Sequence, residues 1–397
     1  MTSGVPERFD AIVVGAGPAG STAAALLARS GLSVLLLDRA RFPRDKPCGG
    51  GITGRAAQLL PFPPDPVVEH SVDRLELAVC YRSRFERRSS EPLVLMTQRR
   101  RLDAYLAGRA VEAGVTFRDG IKVTAVETDG PSAVVSAGRW RGQSAVVIGA
   151  DGANGVTARA LGSAPRMHCV ALEGNVVYGA ADAERYRSRA VIELGVVPGG
   201  YAWIFPKGNH VNVGVAGWEA EGPRLRAHLR RLLEEHRLPV ALETVRGFRL
   251  PLRRPGASLA RGRVLLVGDA AGLVDPLSGD GIYEALASAR LAVDRACDLV
   301  AGRASSLPYE LRLVRELGPL SAASWGWKLA FDRFPRLAAS VVRTPLAWRV
   351  VEDLLSGDLP DPRRAPGARA VPLRLLELLA RFAGDPGRSY REELARA

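Results

Sequence analysis

The stretch Asp10–Asp38, DAIVVGAGPAGSTAAALLARSGLSVLLLD, decides the fold. Asp10–Gly15 is a short β-branched run of the kind that forms a buried parallel strand. Gly15-x-Gly17-x-x-Gly20 follows and opens a small-residue helix, expected over Pro18–Arg29. Gly31 closes that helix, Ser33–Leu37 forms a second strand, and Asp38 ends it. In a β-α-β unit of this kind the first glycine allows the tight turn. The second lets backbone approach a pyrophosphate, and the third lets helix and strand pack closely. The helix N-terminus then faces the phosphates with unpaired N–H groups and roughly half a unit of positive charge. Asp38, eighteen residues beyond Gly20, is placed to accept from both ribose hydroxyls of an adenosine. An acid at that point disfavours a 2′-phosphate.

The bulk numbers bound the rest. A chain of 397 residues is long enough for two or three substructures around a large core. Hydrophobic and charged contents of 47% and 24% are those of an ordinary globular protein. The net charge of +13, mostly arginine, either favours anionic partners such as nucleic acid or a membrane surface or simply reflects a GC-rich genome. Nucleic acid is set aside as a partner, because no recognised binding motif accompanies the charge. Cys48, Cys80, Cys169 and Cys297 show no CxxC or metal-ligand spacing, so no metal site and a reducing cytoplasmic setting are expected. Glu7 and Arg8 precede the first strand, and no signal-peptide pattern is present. The longest uncharged run, Ala11–Ala28, contains the glycines and Pro18, and reads as nucleotide-binding, not membrane-spanning.

Outward from this unit, Arg39–Gly54 (RARFPRDKPCGGGITG) is too rich in Pro and Gly for regular structure. Its Pro47–Gly51 segment can bring bare backbone against a flat ligand. Residues 67–96 read as strands, with Arg82, Arg84, Arg87 and Arg88 forming either a solvated strand face or an anion site. Thr97–Gly114 reads as a helix, and 115–149 as short strands with turns at Asp119-Gly120 and Asp129-Gly130. Strands are expected again at Cys169–Tyr178, Ala190–Val197, Tyr201–Phe205 and Val211–Ala216, then a helix over Gly222–His236. Arg263–Gly268 returns as a buried strand, a helix runs from about Ile282 to Ala301, and the remainder is mainly helical. There Trp327, Phe331 and Phe334 share one helix face, as do Trp348, Val351 and Leu355, either as core or as membrane contact. The resulting division is discontinuous. Residues 1–66, 97–165 and 260–302 form a Rossmann-like nucleotide domain, 67–96 and 166–259 an antiparallel-sheet substrate domain, and 303–397 a helical extension.

Three separated segments converge: the GxGxxG unit, GADG at 149–152, and GDAAGLVDPLSGDGI at 268–282. Together they resemble the flavoproteins of the para-hydroxybenzoate hydroxylase type. Pro47-Cys48-Gly49-Gly50-Gly51 and Pro198-x-x-Tyr201-x-Trp203-x-Phe205-Pro206 narrow the likeness, because they resemble the PCGGG and YxWxFP segments of the geranylgeranyl reductase family. The resemblance runs from about residue 8 to 300. It implies FAD as cofactor, with Gly15, Gly17, Gly20, Asp38, Cys48, Gly49, Gly51, Arg99, Asp269, Gly281 and Ile282 in contact with it. Asp269 would hold the ribityl chain, and the amides of Gly281 and Ile282 would stabilise negative charge on the flavin edge. Gly155 and Asp280 depart from the family, which often has serine and glutamate there.

Alternation sends Tyr201, Trp203 and Phe205 to one strand face, as the wall of an apolar tunnel or as packed core. The resemblance implies an FAD-dependent reductase that saturates C=C bonds of a prenyl chain on a lipid, quinone or related carrier. Flavin N5 would be the hydride donor. Cys48 is either a redox or acid group or a packing residue beside the flavin. No second GxGxxG is visible, so NAD(P)H, ferredoxin or another external donor would supply electrons. The charge and a lipid substrate together imply transient contact with the inner face of a membrane. The rival reading is a flavin-dependent monooxygenase or halogenase acting on an aromatic or polyketide-type substrate, which would share every FAD motif.

Overall fold

The computed structural model describes residues 6–384, apart from 129, 164–166, 178, 241, 243, 305 and 306, together with 392 and 393. Asp129 and Tyr178, assigned above to a turn and a strand end, lie outside the described residues.

The eight-stranded first sheet has a parallel centre. Glu7–Val14 lies between Val34–Leu37 and Trp140–Gly149, with Thr116–Arg118 and Val264–Leu266 outside them. Parallel strands covered on both faces read as unbroken apolar runs, and Val34, Leu35, Leu36 and Leu37 are all buried. Helices Pro18–Arg29 and Ile282–Val300 pack on each other against this sheet.

The seven-stranded second sheet interleaves two distant chain segments. Arg74–Val79 joins it by a parallel pairing with Arg189–Leu194, and the other pairings are antiparallel. A third, three-stranded sheet joins Gly51–Thr53 to Val94–Met96 and His70–Val72. Gly51–Thr53 therefore corrects the expectation of irregular structure through Gly54. Its strand conformation comes from the partner strand Val94–Met96, which local composition does not report. Ser83–Arg88 is an edge strand of the second sheet, and Arg84 and Arg88 on it are exposed. Arg88 pairs with Asp73 at 3.0 Å, and Arg84 lies 3.6 Å from Glu193.

The C-terminal part is helical: Tyr309–Arg333, Pro335–Val342, Pro345–Ser356 and Ala370–Phe382. Pro335 and Pro345 stand at the first turn of their helices, where a missing N–H costs nothing. These helices close over the second sheet through a core of Leu77, Leu320, Trp327, Val342, Leu373 and Leu376. Among the described residues no helix is long and apolar enough to cross a membrane.

Candidate active site

One cavity of about 1060 Å³ runs along the junction of the first sheet, the second sheet and the C-terminal helices. Every residue assigned above to the cofactor lines it except Gly20, which sits one turn into the fingerprint helix. Gly15 takes φ +103°, and a Cβ on Gly20 would stand 1.8 Å from the Gly15 carbonyl. Turn and helix can approach this closely only with glycine at both places. The Gly17 side is open instead, facing Arg99 and Arg44. Their Nη2 atoms lie 3.6 and 3.7 Å from where a Cβ would stand.

The polar end of the cavity is pre-arranged. Asp38 is buried, and its two carboxylate oxygens accept from the amides of Ala16 and Ala40 at 2.8 and 2.9 Å. Each oxygen retains acceptor capacity toward the cavity. Arg99 grips Asp103 through Nε and Nη2, both at 2.8 Å, and Arg44 Nη1 reaches the same carboxylate at 2.7 Å. Two guanidiniums are thus held beside the N-terminus of the Pro18–Arg29 helix, an arrangement that could hold a diphosphate. Lys46 meets Asp269 at 2.9 Å. Asp151 turns its carboxylate back onto the amides of Val156 and Thr157. A Cβ on Gly155 would lie 2.0 Å from Asp151 Cγ, so the departure at Gly155 makes room for that carboxylate.

At the next corner, the Ile282 amide donates to Asp280 Oδ1 at 2.8 Å. The Gly281 amide also acts on this carboxyl, so both amides at the helix start have Asp280 as an intrachain acceptor. Arg55 stands 3.8 Å from Asp280 and 3.9 Å from Glu284. Arg55 Nε, Asp280 Oδ2 and Glu284 Oε2 are buried without a hydrogen-bond partner among the described residues. Burial pushes both carboxyls above their ordinary range; Arg55 opposes the shift in both, Asp275 adds to both, and Asp280 adds to that of Glu284.

The aromatic row joins the two motif groups. The Tyr201 hydroxyl donates to the Ser278 carbonyl, in the loop before the Ile282 helix. Ring centroids follow at 6.0 Å to Trp203 and 6.1 Å from there to Phe205. Phe205 abuts Gly49, where a Cβ would lie 2.9 Å from the ring. Trp203 Nε1 donates to Asn212 Oδ1 at 2.8 Å, and Asn212 Nδ2 reaches Glu173 and Asn175 at 3.3 and 3.0 Å. Cys48 Sγ accepts from the Gly50 amide at 3.3 Å and lines the cavity. Beyond the row the walls are mainly apolar, with Leu75, Leu77, Trp327, Phe331, Leu373 and Leu376, and with Lys328 and Asp332 of the Trp327 helix also lining the cavity. The first C-terminal aromatic stripe is thus partly cavity wall, and Trp348 of the second is buried.

Sequence reasoning missed Arg44, Lys46, Arg55 and Lys207. Arg44 and Lys46 belong to the basic, Pro/Gly-rich segment around PCGGG, and Arg55 follows it directly; that run of cations was the available signal. Lys207 carried none.

The family model for the FAD binding domain matches residues 8–306. The chain belongs to that family. It is 33% identical over 74% of its length to digeranylgeranylglycerophospholipid reductase 1 of Methanopyrus kandleri, covering 81% of that protein. It is 32% identical over 73% of its length to menaquinone reductase of Mycobacterium tuberculosis, covering 77% of it. These relatives place it within the geranylgeranyl reductase group of FAD-dependent oxidoreductases. In fold it is similar to a geranylgeranyl bacteriochlorophyll reductase-like protein of Thermoplasma acidophilum, with a TM-score of 0.72 at 21% identity over 98% of this chain and 99% of that one. It is also similar to the flavin-dependent brominase Bmp2, with a TM-score of 0.75 at 21% identity over 94% of this chain and 100% of that one. The α/β fold with a helical C-terminal region is common to this group.

Proposed function

We propose that this flavoprotein saturates C=C bonds of a geranylgeranyl-type prenyl chain attached to a lipid, quinone or related carrier. The observation that carries the reading is one large cavity, which passes from the fingerprint helix, along an aromatic row, into an arm walled mainly by apolar side chains. Reductases of prenyl lipids and of menaquinone among the relatives support it.

FAD, when bound, supplies the hydride chemistry; Gly15, Gly17, Gly20, Asp38, Arg99 and Asp269 hold its nucleotide and ribityl parts, with Arg44 added. Cys48, Gly49, Gly51, Gly281 and Ile282 face its ring system. The substrate alkene has no carbonyl to polarise, so the protein acts by position and by excluding water. Tyr201, Trp203 and Phe205 form the face along which the chain lies, and the C-terminal helices keep that arm dry. The proton comes from Cys48, from Asp280 or from water; Asp280 enters because its burial favours the protonated carboxyl. Electrons come from NAD(P)H or ferredoxin.

The fold is shared with a brominase, so the decisive test is chemical. The purified holoenzyme, reduced without oxygen and given prenyl substrates, should add two hydrogens per double bond, read by mass spectrometry. Oxygen-dependent hydroxylation or halogenation of a ring, with prenyl chains left untouched, would replace this reading with the monooxygenase one.

A further inference from the structure

The helix Ala370–Phe382 is apolar on two opposite sides. Its inner side supplies Pro372, Leu373 and Leu376 to the cavity wall. Its outer side exposes Val371, Leu375, Leu378 and Phe382, the last at 73%. At about 100° per residue these four fall within a band roughly 60° wide. Arg374 and Arg381, both exposed, stand about 80° to one side of it. The neighbouring helix Pro335–Val342 repeats the arrangement: Val342 lines the cavity, Leu337 is 57% exposed, and Arg336 and Arg343 are exposed beside it. The apolar arm of the cavity is therefore separated from solvent here by one helical layer whose outer face is also apolar.

A wall that met only water would carry polar residues outside. An exposed apolar stripe edged by arginine matches the boundary between acyl chains and anionic headgroups. A second copy of this chain fits it less well, because a twofold contact on this face would set arginines against arginines.

We propose that the outer face of Ala370–Phe382, together with Leu337, docks on an anionic lipid bilayer, so that the apolar arm of the cavity opens from the membrane side. The docking surface stands on exposure and charge; its role in substrate entry rests on the prenyl-chain reading above.

The test is co-flotation of the FAD-loaded protein with phosphatidylcholine vesicles, with and without roughly one third phosphatidylglycerol, in the absence of prenyl substrate. The parent should float with the anionic vesicles and be released by salt. Leu375→Asp combined with Leu378→Asp should lower the bound fraction about tenfold, and Arg374→Glu combined with Arg381→Glu should abolish the preference for anionic lipid. Both variants should keep parental FAD content and parental activity on a detergent-dispersed prenyl substrate. The proposal falls if the parent ignores vesicles or binds neutral and anionic ones equally. Variants that float like the parent, or a parental dimer that the leucine substitutions split into monomers, also overturn it. Flotation is read without turnover, so failure to saturate prenyl chains would count against the function alone, and failure to float against the docking face alone.

Discussion

Lys207 Nζ donates to the Gly49 carbonyl at 2.6 Å, tying the end of the strand Tyr201–Pro206 in the second sheet to the PCGGG segment that leads into the third. The same ammonium reaches the carbonyls of Thr97 at 2.8 Å and Gly50 at 3.4 Å. A buried cation thus holds the loop against the aromatic row from below.

Burial pushes the Lys207 ammonium down to about 8 from the 10.5 of a free side chain. Below pH 8 the folded and unfolded chains both carry the proton, and the desolvation cost is fully present. Between the two values the folded chain releases a proton that the unfolded chain keeps, so stability rises with pH, by about 3 kcal/mol in all. Lys207→Met should lose this rise. Urea unfolding of parent and variant near neutrality and above pH 10 measures it, and a parent–variant difference that stays constant across that range counts against the assignment.

Glu284 gives the opposite slope. Its carboxyl is raised by burial and by Asp280, so the folded chain favours the protonated form. Stability is unaffected below the ordinary carboxylate value and falls as pH rises above it, because the unfolded chain ionises first. Glu284→Gln should gain on the parent steadily from pH 4.5 upward, read as the difference in melting temperature. A variant that loses ground with rising pH would show Glu284 to be stabilised as an anion.

Asp38→Ala should weaken FAD binding by one to two orders of magnitude, since a hydrogen bond to a charged group contributes about 1.5–3 kcal/mol. It also strips the Ala16 and Ala40 amides of their acceptor, so the cofactor-free protein should melt earlier too. Asp38→Asn, which keeps one oxygen, should fall between. Flavin retention after dialysis and a melting curve of the apoprotein separate the two effects.

Trp203→Ala should abolish prenyl saturation with FAD content nearly unchanged. Gly214 offers a subtler variant. A Cβ there would stand 2.1 Å from Trp203 Cζ2, so Gly214→Ala must displace the indole. Affinity in the parent should climb with isoprenoid length, about 0.8 kcal/mol per buried CH₂, until the apolar arm is full. In Gly214→Ala that climb should stop at shorter chains. Equal length dependence in both proteins would move the tunnel away from Trp203.

The sequence alone determined the β-α-β unit, its three glycines and Asp38, because each of those roles is local. A turn, a helix start and a strand end lie within thirty residues. It also placed Tyr201, Trp203 and Phe205 on one face, since strand alternation needs no knowledge of the partner strand. Only the tertiary structure decided what that face meets: the Ser278 carbonyl at one end, Gly49 at the other, and helices from more than a hundred residues away as the far wall. The same holds for Gly51–Thr53, which is a strand because Val94–Met96 lies beside it, and for Lys207 and Arg55, whose partners are distant in the chain. Periodicity reports which side of an element is apolar. Whether that side lines a cavity, fills a core or remains exposed depends on what packs against it, and in Ala370–Phe382 two opposite sides are apolar for different reasons.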